Sequence, residues 1–102
     1  MNYKRITSMQ KAYGYDKLQN NINIGLAWKL EGSYGRAAMS ALESGMCMLP
    51  KESHRDYYGN RIPSRDELRN GSKGTYQNCA KFWQGVDEGS IYLSIEEEEE
   101  CC

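Results

Sequence analysis

Glycines divide the apolar residues between positions 16 and 45 into two predicted short helices, and very few residues separate these helices in the sequence. In the first, Asp16 can serve as the N-cap and Gly32 can end the helix, which predicts a helix over 16–31. The apolar residues that recur every four positions in it are Leu18, Ile22, Leu26 and Leu30. Ser33 can then cap a second helix over 34–44. Because the link is so short, the chain must turn a sharp corner, and we expect the two helices to pack against each other.

Two further helices are predicted outside this pair. Near the N-terminus, the residues at helical spacing are Ile6, Met9 and Tyr13. Thr7 or Ser8 can cap this short helix and Gly14 can end it. Later in the chain, Thr75 can cap a helix over 76–84. The side chains expected to face the core are Ala38, Ala41 and Leu42 from the helix over 34–44, and Cys79, Ala80 and Trp83 from the helix over 76–84.

One strand is predicted, over 90–95, because apolar and polar residues alternate there. A single strand needs a partner, which could be the apolar segment 46–49, the segment 3–6, or the same strand of a second copy in a homo-oligomer. The expected fold is mainly α, with three to four short helices, a short C-terminal strand and a long polar loop; a small α+β arrangement is the alternative. We expect one compact domain over 1–95, followed by an acidic, disordered tail over 96–102.

The charges of the chain are unevenly distributed. The net charge is −1, but five of the 14 acidic residues form the run Glu96 to Glu100. Without that run, the 13 basic residues exceed the remaining 9 acidic ones by four, so the body of the chain would attract phosphates or acidic surfaces. No apolar run is long enough to span a bilayer, and the N-terminus lacks the apolar core of a signal peptide. We therefore expect a protein of the cytoplasm that has no membrane partner.

Thiol or metal chemistry is not indicated by the cysteines. Cys47 and Cys79 are isolated, Cys101 and Cys102 are adjacent, and a single histidine leaves no zinc-ligand spacing. We expect reduced thiols, no metal site and no cofactor.

A polar segment rich in turn signals, 51–73, holds most of the residues that could carry a function. Ser64 and Glu67 form a capping box within it, which predicts a single helical turn over 65–69. Loops of this length are unusual in a small domain and are often functional. The candidate contact residues in it are His54, Arg55, Tyr57, Tyr58, Arg61, Arg65 and Lys73.

The segments LESGMCMLPKESHRDYYGNRIPSRDEL and GSKGTYQNCAKFW, at 42–68 and 71–83, resemble a group of small proteins encoded by tailed bacteriophages. The resemblance covers roughly residues 7 to 85 and rests on a shared Leu-Pro-Lys, His-Arg-Asp-Tyr-Tyr-Gly-Asn-Arg and Pro-Ser-Arg core. It implies a phage gene product that works in the cytoplasm of the host bacterium. Small phage proteins of this kind commonly bind and disable a host factor or a defence system, or sequester a signal molecule.

Three interpretations of the loop follow from its residues. As an anion site, its arginines and Lys73 would hold phosphates while the tyrosines stack on a base, unless Arg55 and Arg65 instead pair with Asp56, Asp66 or Glu67.

As a protein-binding surface, the loop offers tyrosine and arginine, which dominate interface energetics, although one of the two adjacent tyrosines could belong to the core. As a catalytic site, His54, Asp56 and Cys47 supply the residue types but no motif that would position them. We therefore expect a non-enzymatic phage accessory protein that acts by stoichiometric binding, most simply by inhibiting a host or anti-phage defence factor. The alternative is a binder of a nucleotide or cyclic oligonucleotide through 51–73.

The acidic tail yields a first prediction. Five consecutive glutamates bury no apolar area that would offset the entropy of ordering them, so deleting residues 96–102 should leave the melting temperature nearly unchanged. Thermal unfolding and size-exclusion chromatography of the truncated and full chains measure this. Loss of folding or a change of oligomeric state on truncation would contradict it.

Overall fold

The computed structural model describes residues 1–29 and 33–93. In chain order its elements are α1 (Tyr3–Tyr13), α2 (Asp16–Asn23), a 3₁₀-helix (Leu26–Trp28), α3 (Ser33–Ser44), β1 (His54–Arg55), β2 (Arg61–Ile62), a second 3₁₀-helix (Arg65–Glu67) and α4 (Tyr76–Glu88). The prediction of a mainly α fold with a small β component is confirmed. None of the helices in the described ranges is long and apolar enough to cross a membrane.

The prediction of one continuous helix over 16–31 is wrong beyond Asn23. The helix ends there, Gly25 takes a φ of +84°, and the chain continues as the 3₁₀-helix. The imidazole of His54 fills the space beside Gly25, where a Cβ would lie 2.6 Å from Nδ1. Only glycine combines that backbone angle with so close an approach. Of the expected stripe, Ile22 is buried and Leu26 is exposed, whereas Leu30 lies outside the described residues.

The other predicted helices are found, with ends that differ by a few residues. α1 starts earlier than predicted because Asn2, rather than Thr7 or Ser8, accepts the capping hydrogen bond, from Arg5 N–H at 2.8 Å. Gly14 ends it as expected. Helix α3 begins at Ser33 itself, and Ala38, Ala41 and Leu42 are buried as expected.

Helix α4 runs through Gly85, the position where the sequence predicts its end, and stops at Gly89. Gly85 has a packing role instead, because the side chain of Ile91 occupies the space where a Cβ would lie. The backbone N–H groups of Ser90 and Ile91 both donate to the carbonyl of Gly85, at 2.9 and 3.0 Å. The described part of the predicted C-terminal strand, 90–93, therefore forms no strand: it begins with a turn that closes α4 and continues as irregular chain. Ser94, Ile95 and the predicted tail over 96–102 lie outside the described residues.

The strands that do form lie inside the segment predicted as a loop. β1 and β2 pair antiparallel, with His54 opposite Ile62 and Arg55 opposite Arg61. The predicted helical turn at 65–69 is present as the shorter 3₁₀-helix, with the Ser64–Glu67 capping box formed.

The apolar segment 46–50 is a buried connector between two clusters of core side chains. The first cluster consists of Ile22, Ala27, Trp28, Ala38, Ala41, Leu42, Cys47 and Leu49. The second consists of Ile6, Met9, Met48, Cys79 and Trp83. Side chains of successive connector residues thus enter opposite clusters, the alternation of an extended chain. The apolar segment 46–49, one of the partners that the sequence allowed for the predicted strand, is a connector and pairs with no strand of the described residues.

Two buried glutamines hold the backbone of this connector. Gln19 Nε2 donates to the carbonyl of Met48 and Gln19 Oε1 accepts from the N–H of Met48, both at 2.9 Å. Gln10 Nε2 donates to the carbonyl of Met46 at 2.8 Å and to Gln19 Oε1 at 2.9 Å. The indole N–H of Trp83 adds a bond to the same Met46 carbonyl at 3.0 Å. Side chains of α1, α2 and α4 therefore satisfy the carbonyls of Met46 and Met48 and the N–H of Met48, without a sheet. The N–H groups of Cys47 and Leu49 donate instead to the backbone carbonyls of Ala41 and Gly74.

Replacing Gln19 should be strongly destabilising. Gln19→Leu keeps the approximate volume but leaves both backbone groups of Met48 without their partner, and each buried unsatisfied group costs roughly 1–3 kcal/mol. We expect a loss of about 3 kcal/mol in the free energy of unfolding, measured by urea denaturation. Asn20→Ala, an exposed change on the same helix, should stay within about 0.5 kcal/mol of wild type. A similar small effect for Gln19→Leu would show that the clamp does not support the core.

Candidate functional site

The β1–β2 hairpin stands on the chain segment that follows α2. The ring of His54 contacts the carbonyl of Asn23 through Nε2 at 3.1 Å, and the N–H of Tyr57 donates to the carbonyl of Trp28 at 2.7 Å. Gly25 lies between these two contacts and gives the imidazole its space. The first strand of the hairpin is thereby fixed at both ends to the body of the protein.

The tip of the hairpin is held in shape by Asp56. Its carboxylate accepts hydrogen bonds from the backbone N–H of Tyr58 at 2.9 Å and of Asn60 at 2.8 Å. Burial opposes ionisation of Asp56, but the hydrogen bonds from Asn60 and Tyr58 outweigh it and keep its pKa below the ordinary value. Arg55 closes the turn by donating to the carbonyl of Gly59 at 2.9 Å. Asp56 is therefore an ionised turn-forming residue.

Both tyrosines of the tip project into solvent. Tyr57 is 55% exposed and Tyr58 is 81% exposed, so neither is the core residue that the sequence allowed for. Their rings meet edge to face with centroids 5.1 Å apart, a favoured aromatic geometry. The tip therefore presents an exposed aromatic pair whose backbone N–H groups are hydrogen-bonded, that of Tyr57 to the carbonyl of Trp28 and that of Tyr58 to the carboxylate of Asp56.

Arg61 and Glu67 form a two-pronged ion pair beside the hairpin. The two guanidinium nitrogens donate to the two carboxylate oxygens at 2.7 and 2.8 Å. Glu67 also accepts from the N–H of Ser64 at 3.2 Å, as the capping box requires. The hydrogen bonds from Arg61 and Ser64 lower the pKa of Glu67 to about 2. The hydrogen bond to Glu67 and its negative charge raise the pKa of Arg61. This pair fastens β2 to the following 3₁₀-helix.

Arg65 turns toward the body of the protein. Its Nε donates to the carbonyl of Leu49 at 2.7 Å, and one terminal nitrogen donates to Asn23 Oδ1 at 3.2 Å. The guanidinium carbon lies 5.7 Å from the ring centroid of Tyr3, within cation–π range. The sequence offered Arg55 and Arg65 as internal partners of Asp56, Asp66 or Glu67. The ion pair found in this region is instead Arg61–Glu67, and Arg65 binds carbonyl oxygens.

Cys47 does not have the properties of a nucleophile. It is fully buried, and burial, with a smaller contribution from Cys79, raises the pKa of its thiol to about 12. Burial likewise raises the pKa of Cys79 to about 12. Both thiols are neutral at physiological pH and are free. Among the described residues, no group of three or more histidine, cysteine or acidic side chains could hold a metal ion.

The candidate residues occupy three places. His54, Arg55, Tyr57 and Tyr58 belong to the first strand and the tip of the hairpin. Arg61 of β2 and Arg65 of the following 3₁₀-helix are held in ion-pair or carbonyl contacts. Lys73 lines the rim of an apolar groove together with Ile62 and Pro63. Sequence reasoning missed Asn23, which contacts both His54 and Arg65. The local sequence around Asn23 offers only one sign of this role, a polar side chain on the inner side of α2. Its contacts could not be predicted, because they join residues far apart in the chain.

Comparisons of the chain with protein-family models, with curated proteins and with solved structures find no match. The resemblance to tailed-phage proteins thus stays a prediction from the sequence.

The Arg61–Glu67 pair yields a prediction on pH dependence. Because the pKa of Glu67 in the folded protein lies below its ordinary value of 4.5, the pair stabilises the fold at neutral pH, and this stabilisation is lost as the pH falls from about 4.5 through 2. In Arg61→Ala, the pKa of Glu67 measured by NMR titration should rise toward 4.5. Arg55→Ala removes an arginine from the same hairpin and should leave that pKa unchanged. An unshifted pKa in Arg61→Ala would mean that the pair does not form in solution.

Proposed function

We propose that this protein binds another protein stoichiometrically, with the tip of the β1–β2 hairpin as the contact surface. The observation that carries the proposal is the exposed Tyr57–Tyr58 pair on an immobilised turn. In the setting that the sequence suggests, the protein is an accessory protein of a tailed phage that inhibits a host or anti-phage defence factor in the bacterial cytoplasm.

A rigid, exposed aromatic pair is well suited to binding. Burying a tyrosine in an interface gains a large apolar area and a hydrogen bond while fixing few rotatable bonds. Here the backbone beneath the rings is already ordered by Asp56, by Arg55 and by the contact between Tyr57 and Trp28. A partner would therefore have to order little of the chain, which lowers the entropic cost of association.

The charged groups of the loop favour a protein partner over a phosphate-bearing ligand. Arg61 uses its guanidinium fork on Glu67, and Arg65 donates to Leu49 and Asn23, so binding a phosphate would require these bonds to break. Arg55 and Lys73 form no ion pair among the described residues, but they are single charges in different places. A nucleotide or cyclic oligonucleotide remains the alternative ligand that the test must distinguish.

Tyr58→Ala, Tyr57→Ala and the double variant should each weaken capture of the partner from a lysate of the host bacterium. Loss of an interface anchor of this kind typically costs tenfold or more in affinity. The side chains touch little of the core, so urea unfolding should be close to that of wild type. The matched control is Tyr92→Ala, which removes a tyrosine that is 91% exposed but lies outside the loop. Equal capture by the double variant and wild type would overturn the proposal.

The nucleotide alternative is tested in parallel by thermal shift with a panel of nucleotides and cyclic oligonucleotides. A ligand that binds the native state raises the midpoint by mass action. A shift that Arg55→Ala abolishes, with no protein captured from the lysate, would replace the protein-binding proposal by the nucleotide one.

A further inference from the structure

A mostly apolar groove runs between α3 on one side and the end of β2 with the residue that follows it on the other. Met39 of α3 forms one wall, Ile62 and Pro63 form the other, and core residues Trp28 and Leu49 form the floor. Met39 is 49% exposed, a large open fraction for an apolar side chain. The groove thus extends the first core cluster to the surface of the protein.

The size and lining of the groove limit what can occupy it. Its volume is about 320 Å³, at the small end of the range for ligand pockets. The charged side chains that line it, Glu43 and Lys73, lie at its rim. A cofactor or nucleotide needs several converging polar groups, which this lining does not offer. One large apolar side chain, inserted as interface anchors are, suits it better.

The two walls of the groove carry charges of opposite sign. Lys73 lies on the side of the loop, and Glu43 lies on α3. Both side chains are exposed, and neither forms an ion pair within the described ranges. A segment that crosses the groove would therefore gain from an acidic residue near Lys73 and a basic residue near Glu43.

We propose that this groove receives a large apolar side chain from a protein segment that carries an acidic residue on one flank and a basic residue on the other. The inference rests on the proposed function, since the groove and the tyrosine tip would contact the same partner. Ile62 belongs to β2 and lines the groove, so the hairpin that presents the tyrosines also builds one wall. The two contacts would together orient the partner, because the opposite rim charges favour one direction of the segment.

The test uses the full chain, immobilised, and a displayed library of random short peptides. Selection should enrich peptides with a phenylalanine, tryptophan or leucine that has an acidic residue on one side and a basic residue on the other. Met39→Trp, which fills the groove, should weaken the selected peptides tenfold or more in fluorescence polarisation. Ser40→Trp, at the next and also exposed position of the same helix, should not. Circular dichroism and urea unfolding establish that both variants fold.

The rim charges are tested by reversal. In Lys73→Glu, selection should favour a basic residue at the flank where wild type selects an acidic one. Lys51→Glu changes the net charge equally from an exposed position outside the groove lining and should leave the preference as it is. Enrichment of peptides without an apolar anchor, equal binding to Met39→Trp, or no enrichment at all would each overturn the groove proposal.

The outcomes for the groove and for the tyrosine tip can be separated. If Tyr58→Ala abolishes capture of a bacterial protein while Met39→Trp captures it fully, the groove inference fails and the proposed function stands. If peptides bind the groove as expected but no bacterial protein is captured, the groove inference stands and the proposed function fails.

Discussion

The buried amide network between Gln10, Gln19 and the connector is the interaction on which the rest of the structure depends. A backbone segment that crosses a core must satisfy its N–H and C=O groups, and it usually does so in a sheet. Here α1 and α2 each contribute one glutamine, and Trp83 of α4 adds its indole N–H. A protein of 102 residues has little apolar area to bury. These hydrogen bonds therefore fix the connector relative to the helices, which in a larger core would be achieved by side-chain packing.

The same network reaches the candidate site through α2. Gln19 donates to Asn23 Oδ1 at 2.9 Å, and Asn23 in turn accepts from Arg65 through its side chain and contacts His54 through its carbonyl. The hairpin is thus held by the end of the helix that also holds the connector. Arg65 also links the candidate site directly to the connector, because it donates to the carbonyl of Leu49. The position of the exposed tyrosines is therefore determined by polar contacts that begin in the core.

How much could be predicted from the sequence depends on the range of the interactions. The ends of α1 at Gly14 and of α3 near Ser44 were predictable, because glycine placement and apolar period are local properties. The capping box at Ser64 was predictable for the same reason. The break at Gly25 was not predictable, since the space beside this glycine is filled by His54, which is distant in the chain. The continuation of α4 through Gly85 was not predictable either, because a glycine is only a weak local signal for a helix end. For the candidate site, the residue types in the sequence indicated the segment 51–73. Which arginines form internal hydrogen bonds, and that both tyrosines are exposed, could be seen only in the folded structure.

The alternation of the connector side chains between two clusters makes the number of residues in this segment more important than their exact identity. Exchanging one apolar side chain for another of similar size at position 47 or 48 would disturb a single cluster. Inserting or removing one residue would instead reverse the direction of every side chain beyond that point and move the carbonyls away from both glutamines. Related sequences that share this fold should therefore exchange apolar residues of similar size within this segment but hardly vary in its length.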